Sequence, residues 1–126
     1  MKLLIDTNLL LWAAANTLPK KAIPYFNNEE NELLFSSASI WEVIIKKGLN
    51  RADFKIDPVA LYCGLLDNGY TELAITSRHV LLVADLPKIH KDPFDRILIA
   101  QAKAEGVALL TSDKMLTKYS STIFIE

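Results

Sequence analysis

Polar and apolar positions along this chain fall into two kinds of block. Short, largely apolar runs of strand length occupy 3–5, 33–36, 72–75, 107–111 and 122–125. Longer stretches of helical character lie between them, at about 8–15, 20–28, 39–47, 57–69, 77–84, 92–105 and 113–119. The punctuation agrees with these limits. Asp57-Pro58 and Asp92-Pro93 pair a capping carboxylate with a proline at the first turn, while Gly48, Gly69 and Gly106 follow helical stretches. The strand runs are apolar without alternation, so both of their faces must be covered. Strands that alternate with helices and are buried on both sides predict a single three-layer α/β/α domain over 1–126, with a central parallel sheet.

Asp6 breaks this pattern. It stands between apolar residues 3–5 and 9–15, where an unpartnered carboxylate would cost several kcal/mol, on the order given for buried charges. Asp113 ends the run "VALLTSD" in the same way, after two hydroxyl residues. Ligand sites in parallel sheets lie beyond the carboxyl ends of the strands, which is where both acids fall. Each also precedes a helical stretch and is a candidate N-cap; Thr7 or Asn8 would cap the first helix equally well. At 100° per residue, the helix from Asp92 has its polar side at Arg96, Ala100 and Lys103. Asp95 instead falls in the apolar arc with Phe94, Leu98, Ile99 and Ala102, which a capping-box role for Asp95 leaves unexplained. Glu42 fits a capping box from Ser39 and an i,i+4 ion pair with Lys46; it gains interest from the other three acids.

Four carboxylates at one sheet edge repel, by about 1 kcal/mol per pair at about 4 Å in water and about 4 at an effective dielectric of about 20. Divalent cations relieve that repulsion. Hard oxygen ligands suit Mg²⁺ or Mn²⁺, whereas two histidines and one cysteine without zinc-like spacing do not suggest zinc. Such ions would bind a phosphodiester, activate water and stabilise the leaving oxygen. No glycine-rich phosphate loop and no G-x-S-x-G elbow offers competing chemistry.

The net charge of −1 supplies no global basic field, so attraction to nucleic acid must be local or carried by metal. Lys46, Lys47, Lys91 and Arg96 are the candidate backbone contacts. His79 reads as an ordinary helix residue and His90 as a loop residue. The single cysteine, Cys63, excludes an internal disulfide and reads as packing in its apolar setting. Trp12, Trp41 and Tyr62 are candidates for interfaces, with buried core the favoured reading. Lys2, the apolar residues after it and Ala13-Ala14-Ala15 imitate a secretory signal, but Asp6 and Asn8 interrupt the apolar part. With no stretch long enough to span a membrane, a cytoplasmic protein that keeps its N-terminus is expected.

With these positions laid out, the chain resembles the PIN-domain proteins of VapC type, the toxins of toxin–antitoxin pairs. "LLIDTN" resembles the family's first-strand motif, and "SSASIWEVIIKKG" the helix that carries its acidic residue. "LPKIHKDPFDRILIAQA" resembles the most distinctive block of one subgroup, and "LLTSD" the fourth motif. The resemblance covers essentially the whole chain in order. It implies that Asp6, Glu42 and Asp95 are core metal-binding acids and that Asp113 is a fourth. Thr7, Asn8 and Ser112 would be supporting polar groups, with Arg96 a neighbour in the subgroup block. Asn8 departs from that subgroup, in which histidine often follows Asp-Thr. The implied activity is a Mg²⁺- or Mn²⁺-dependent endoribonuclease acting on RNA, homodimeric and held by a cognate antitoxin. The alternatives are a catalytically silent RNA-binding or regulatory module of the same fold, and a phosphotransferase using Asp6 as nucleophile. The second lacks the usual D-x-D acid, because position 8 is Asn.

Overall fold

The computed structural model describes residues 1–48, 56–89, 91–119 and 122–125. Strand β1 (Lys2–Ile5) leads into helix α1 (Thr7–Ala14), followed by α2 (Ile23–Asn27) and β2 (Glu32–Ser36). Helix α3 (Ser37–Gly48) then follows β2 without a loop; α4 (Pro58–Asp67), β3 (Thr71–Leu73) and α5 (Ser77–Val83) come next. The last elements are α6 (Pro93–Glu105), β4 (Ala108–Thr111), a 3₁₀ helix (Lys114–Lys118) and β5 (Thr122–Phe124). The strands form one sheet in the order β3-β2-β1-β4-β5, and every neighbouring pair is parallel.

The alternation of side chains across a strand builds the layers. Leu3 and Ile5 face one side and pack with Leu9, Leu10, Val43, Leu61 and Leu65, so α1, α3 and α4 cover it. Leu4 faces the other side with Leu98, Ile99, Ala102 and Leu116, under α6 and the 3₁₀ helix. The expected three-layer α/β/α parallel fold is the observed one. Among the described residues, no helix is long and apolar enough to cross a membrane.

Several local expectations shift for identifiable reasons. Helix α3 starts two residues before Ser39, because the Ser36 hydroxyl already accepts the Ala38 N–H at 3.0 Å. Ser39 is therefore an interior residue, and no capping box links it to Glu42. The expected strand at 72–75 is observed at Thr71–Leu73, paired in register with β2. Ala100 does not lie on a solvated face: it is fully buried beside Gln101, because α6 is covered on more than one side. Cys63 is exposed, not packed. Trp12, Trp41 and Tyr62 are not core either, with 38%, 58% and 37% of their surface exposed. His90 lies outside the described residues.

His79 does more than occupy a helix. Thr76 caps α5, and its backbone N–H donates to His79 Nδ1 at 3.1 Å. That bond leaves the ring proton on Nε2, which donates to Glu105 Oε2 at 2.9 Å and ties α5 to the end of α6.

Candidate metal centre

The site begins where β1 ends. Ile5 is in register with Leu110 of β4, and the Asp6 N–H donates to the Leu110 carbonyl at 3.0 Å. Asp6 is 4% exposed. Its extended backbone (φ −69°, ψ 161°) makes it the N-cap of α1, and Oδ1 accepts the Leu9 N–H at 2.8 Å. Oδ2 accepts the Thr111 hydroxyl at 2.5 Å and the Ser112 N–H at 3.1 Å. Burial pushes the Asp6 carboxyl above its ordinary 3.8; these hydrogen bonds pull it back, and the charge of Asp113 pushes it up again. One carboxylate thus both caps α1 and is held from the end of β4.

Asp113 sits at the end of β4 and caps the 3₁₀ helix by accepting the Met115 N–H at 2.9 Å. Its own N–H donates to Thr111 Oγ1 at 3.0 Å. Glu42, on α3, is 5% exposed. Lys46 meets its Oε2 at 2.7 Å, while the buried Oε1 has no hydrogen-bond partner. An unpartnered carboxylate oxygen inside a protein is costly unless a cation meets it. A second hydroxyl contact joins this helix to the start of α1: Thr7 Oγ1 donates to Ser39 Oγ at 2.9 Å, both buried.

Asp95 is half-buried in the first turn of α6, next to buried Leu98, Ile99 and Ala102. Trp41 and Phe94, the residues immediately before Glu42 and Asp95, pack edge-to-face with centroids 5.2 Å apart. The strand-end acids Asp6 and Asp113 are therefore linked through the Thr111 hydroxyl, and Glu42 and Asp95 are carried on helices joined by an aromatic contact. Among the described residues, no group of three or more His, Cys, Asp or Glu side chains is arranged to hold a metal ion. The donor set still fits a hard cation: a desolvated carboxylate beside a second acid, and a buried carboxylate oxygen left bare.

Residues 3–121 match the family model described as the PIN domain. The chain belongs to the PIN domain family. Among solved structures, the PIN domain is similar to a chain of VapBC2 from Rickettsia felis bound to a DNA fragment from its promoter (TM-score 0.71, 16% identity, 99% of this chain and 98% of that one). It is similar to a chain of DNA-bound VapBC from Salmonella typhimurium (TM-score 0.71, 18% identity, 99% and 97% covered). FitAcB from Neisseria gonorrhoeae gives a TM-score of 0.67 at 13% identity, with 98% and 96% covered. No curated protein matches the sequence.

The supporting residues of this PIN domain divide by role. Thr7 donates to Ser39, and Ser112 contributes its backbone N–H to Asp6. Asn8 is exposed in the first turn of α1. Arg96 donates to the Pro87 and Val83 carbonyls at 3.1 and 3.0 Å, holding the end of α5 and the segment after it. Asp92 caps α6 by accepting the Phe94 N–H at 2.9 Å. Sequence reasoning missed Thr111 and Ser39. Thr111 had a signal, as the first of two hydroxyl residues before Asp113; Ser39 was misread as a cap.

Proposed function

We propose that this PIN domain is a divalent-metal-dependent endoribonuclease, the toxin of a toxin–antitoxin pair. Its metal-binding acids would be Asp6, Glu42, Asp95 and Asp113. The observation that carries this reading is Glu42: a carboxylate 5% exposed, balanced on one oxygen by Lys46 and bare on the other. Bound Mg²⁺ or Mn²⁺ would supply a Lewis acid to polarise the phosphodiester and lower the pKa of an attacking water.

The chain's own residues prepare that chemistry. Asp6 is held on both oxygens, so it does not have to reorganise on loading. Lys46 offsets the Glu42 charge within the helix. The 58% exposed Trp41, with Ile44 and Ile45 at i+3 and i+4, forms an apolar stripe on α3 of the kind that protein partners cover. An antitoxin and a second copy of this chain are the partners proposed for it. Support for an antitoxin also comes from the VapBC complexes whose chains share this fold. The cytoplasm is the proposed location.

Among the described residues no three acids are grouped to hold a metal ion, and the second reading is an RNA-binding or regulatory module without turnover. One experiment separates the two. Purified protein is titrated with Mg²⁺ and Mn²⁺ in the presence of structured and single-stranded RNA. Metal-stimulated cleavage that Asp95→Asn and Glu42→Gln abolish supports the nuclease. RNA left intact under every ion refutes it and leaves the binding module.

A further inference from the structure

We propose that Thr111 is a positioning residue that makes Asp6 a one-oxygen ligand for the divalent cation; this rests on the metal-dependent reading above. A carboxylate offers about four lone-pair sites over its two oxygens. On Asp6, Oδ2 accepts two hydrogen bonds, from the Thr111 hydroxyl and the Ser112 N–H. Oδ1 accepts one, from the Leu9 N–H. The open position is on Oδ1, so Asp6 binds through that atom alone.

Thr111 has little freedom to do otherwise. It is fully buried at the end of β4, and its hydroxyl accepts the Asp113 N–H at 3.0 Å. Its one proton then goes to Asp6 Oδ2 at 2.5 Å. Branching at Cβ restricts the side-chain rotamer in a strand. One hydroxyl thereby sets the rotation of Asp6 and anchors the backbone of Asp113. Glu42 shows the same division of labour, with Oε2 taken by Lys46 and Oε1 bare. Two acids from different elements each present a single oxygen.

The test is Mn²⁺ binding by titration calorimetry without RNA, on wild type, Thr111→Ser, Thr111→Cys and Thr111→Val, with thermal melts of each. Removal of a group that orients a metal ligand costs about 10- to 100-fold in affinity. Affinity should follow donor strength: Ser close to wild type, Cys weaker, and Val weakest by about 10-fold or more. A purely structural role would make affinity follow melting temperature instead, and that ranking overturns the proposal. So does a Val or Cys variant that binds Mn²⁺ as wild type does; Cys keeps this outcome accessible if Val fails to fold. Wild-type protein that takes up no Mn²⁺ overturns the metal-dependent reading along with this one.

Discussion

Trp41 and Phe94 meet edge-to-face at 5.2 Å with their rings 80° apart, joining α3 to the first turn of α6. Each directly precedes one of the proposed metal-binding acids, Glu42 or Asp95. Aromatic pairs of this geometry contribute about 0.5–1.5 kcal/mol beyond the area they bury. A double-mutant cycle with Trp41→Ala and Phe94→Ala, read by urea denaturation, should return a coupling in that range. A coupling near zero would mean that the pair does not hold the two helices together.

Lys46 lies 2.7 Å from a Glu42 oxygen, and only 29% of its side chain is exposed. Lys46→Met leaves a buried carboxylate without its counter-charge. In EDTA the variant should lose about 1–3 kcal/mol, less than a fully buried pair would because part of Lys46 stays in water. Divalent ions should restore more stability to the variant than they add to wild type. Melting curves with EDTA and with Mg²⁺ check this; equal metal effects in both proteins would count against Glu42 as a ligand.

Asp6 gives a dependence on pH. Burial holds its folded carboxyl above 3.8, so the fold binds the proton more tightly than the unfolded chain does. That contribution to stability is complete below 3.8 and is lost as pH rises through the folded value. A divalent ion competes with the proton for the same oxygen. The rise in melting temperature on adding Mg²⁺ should therefore grow with pH in wild type and be much reduced in Asp6→Asn.

Glu105 behaves in the opposite sense. The hydrogen bond from His79 holds its carboxyl below 4.5, helped by the charges of Arg78 and Lys2 and opposed by desolvation. Its contribution is present above 4.5 and is lost as pH falls through the folded value. Between about pH 6 and about pH 3, Glu105→Gln should lose less stability than wild type. Urea midpoints across that range provide the measurement.

At Gly106 the backbone is left-handed (φ 67°, ψ 33°) where α6 ends. Gly106→Ala should cost about 1 kcal/mol, because an L side chain in that region meets its own carbonyl. A denaturation midpoint unchanged from wild type would contradict it.

The helices and strands were legible because their signals are local. Asp92 with Pro93 starts α6 and Gly106 ends it, and each is a backbone preference expressed over a few residues. The parallel three-layer fold follows from apolar strands such as Leu3, Leu4 and Ile5, which cannot leave either face in water. Asp6 and Asp113 were legible as candidates for a site for the same reason: a carboxylate at the end of an apolar run has a cost that something must offset.

Contacts between distant segments decided the rest. Nothing local says that the Thr111 hydroxyl meets Asp6, 105 residues away, or that Ser39 accepts from Thr7 rather than capping a helix. Trp12, Trp41 and Tyr62 are apolar letters on helices that could pack inward, and only the placement of the layers leaves them partly in water. Sequence by itself determined that the apolar strand runs must be covered on both faces and where a buried charge would need a partner. Only the tertiary structure determined the partner, because the hydrogen bonds of 2.5 and 3.1 Å to Asp6 depend on the register between β1 and β4, which pairing across the sheet sets.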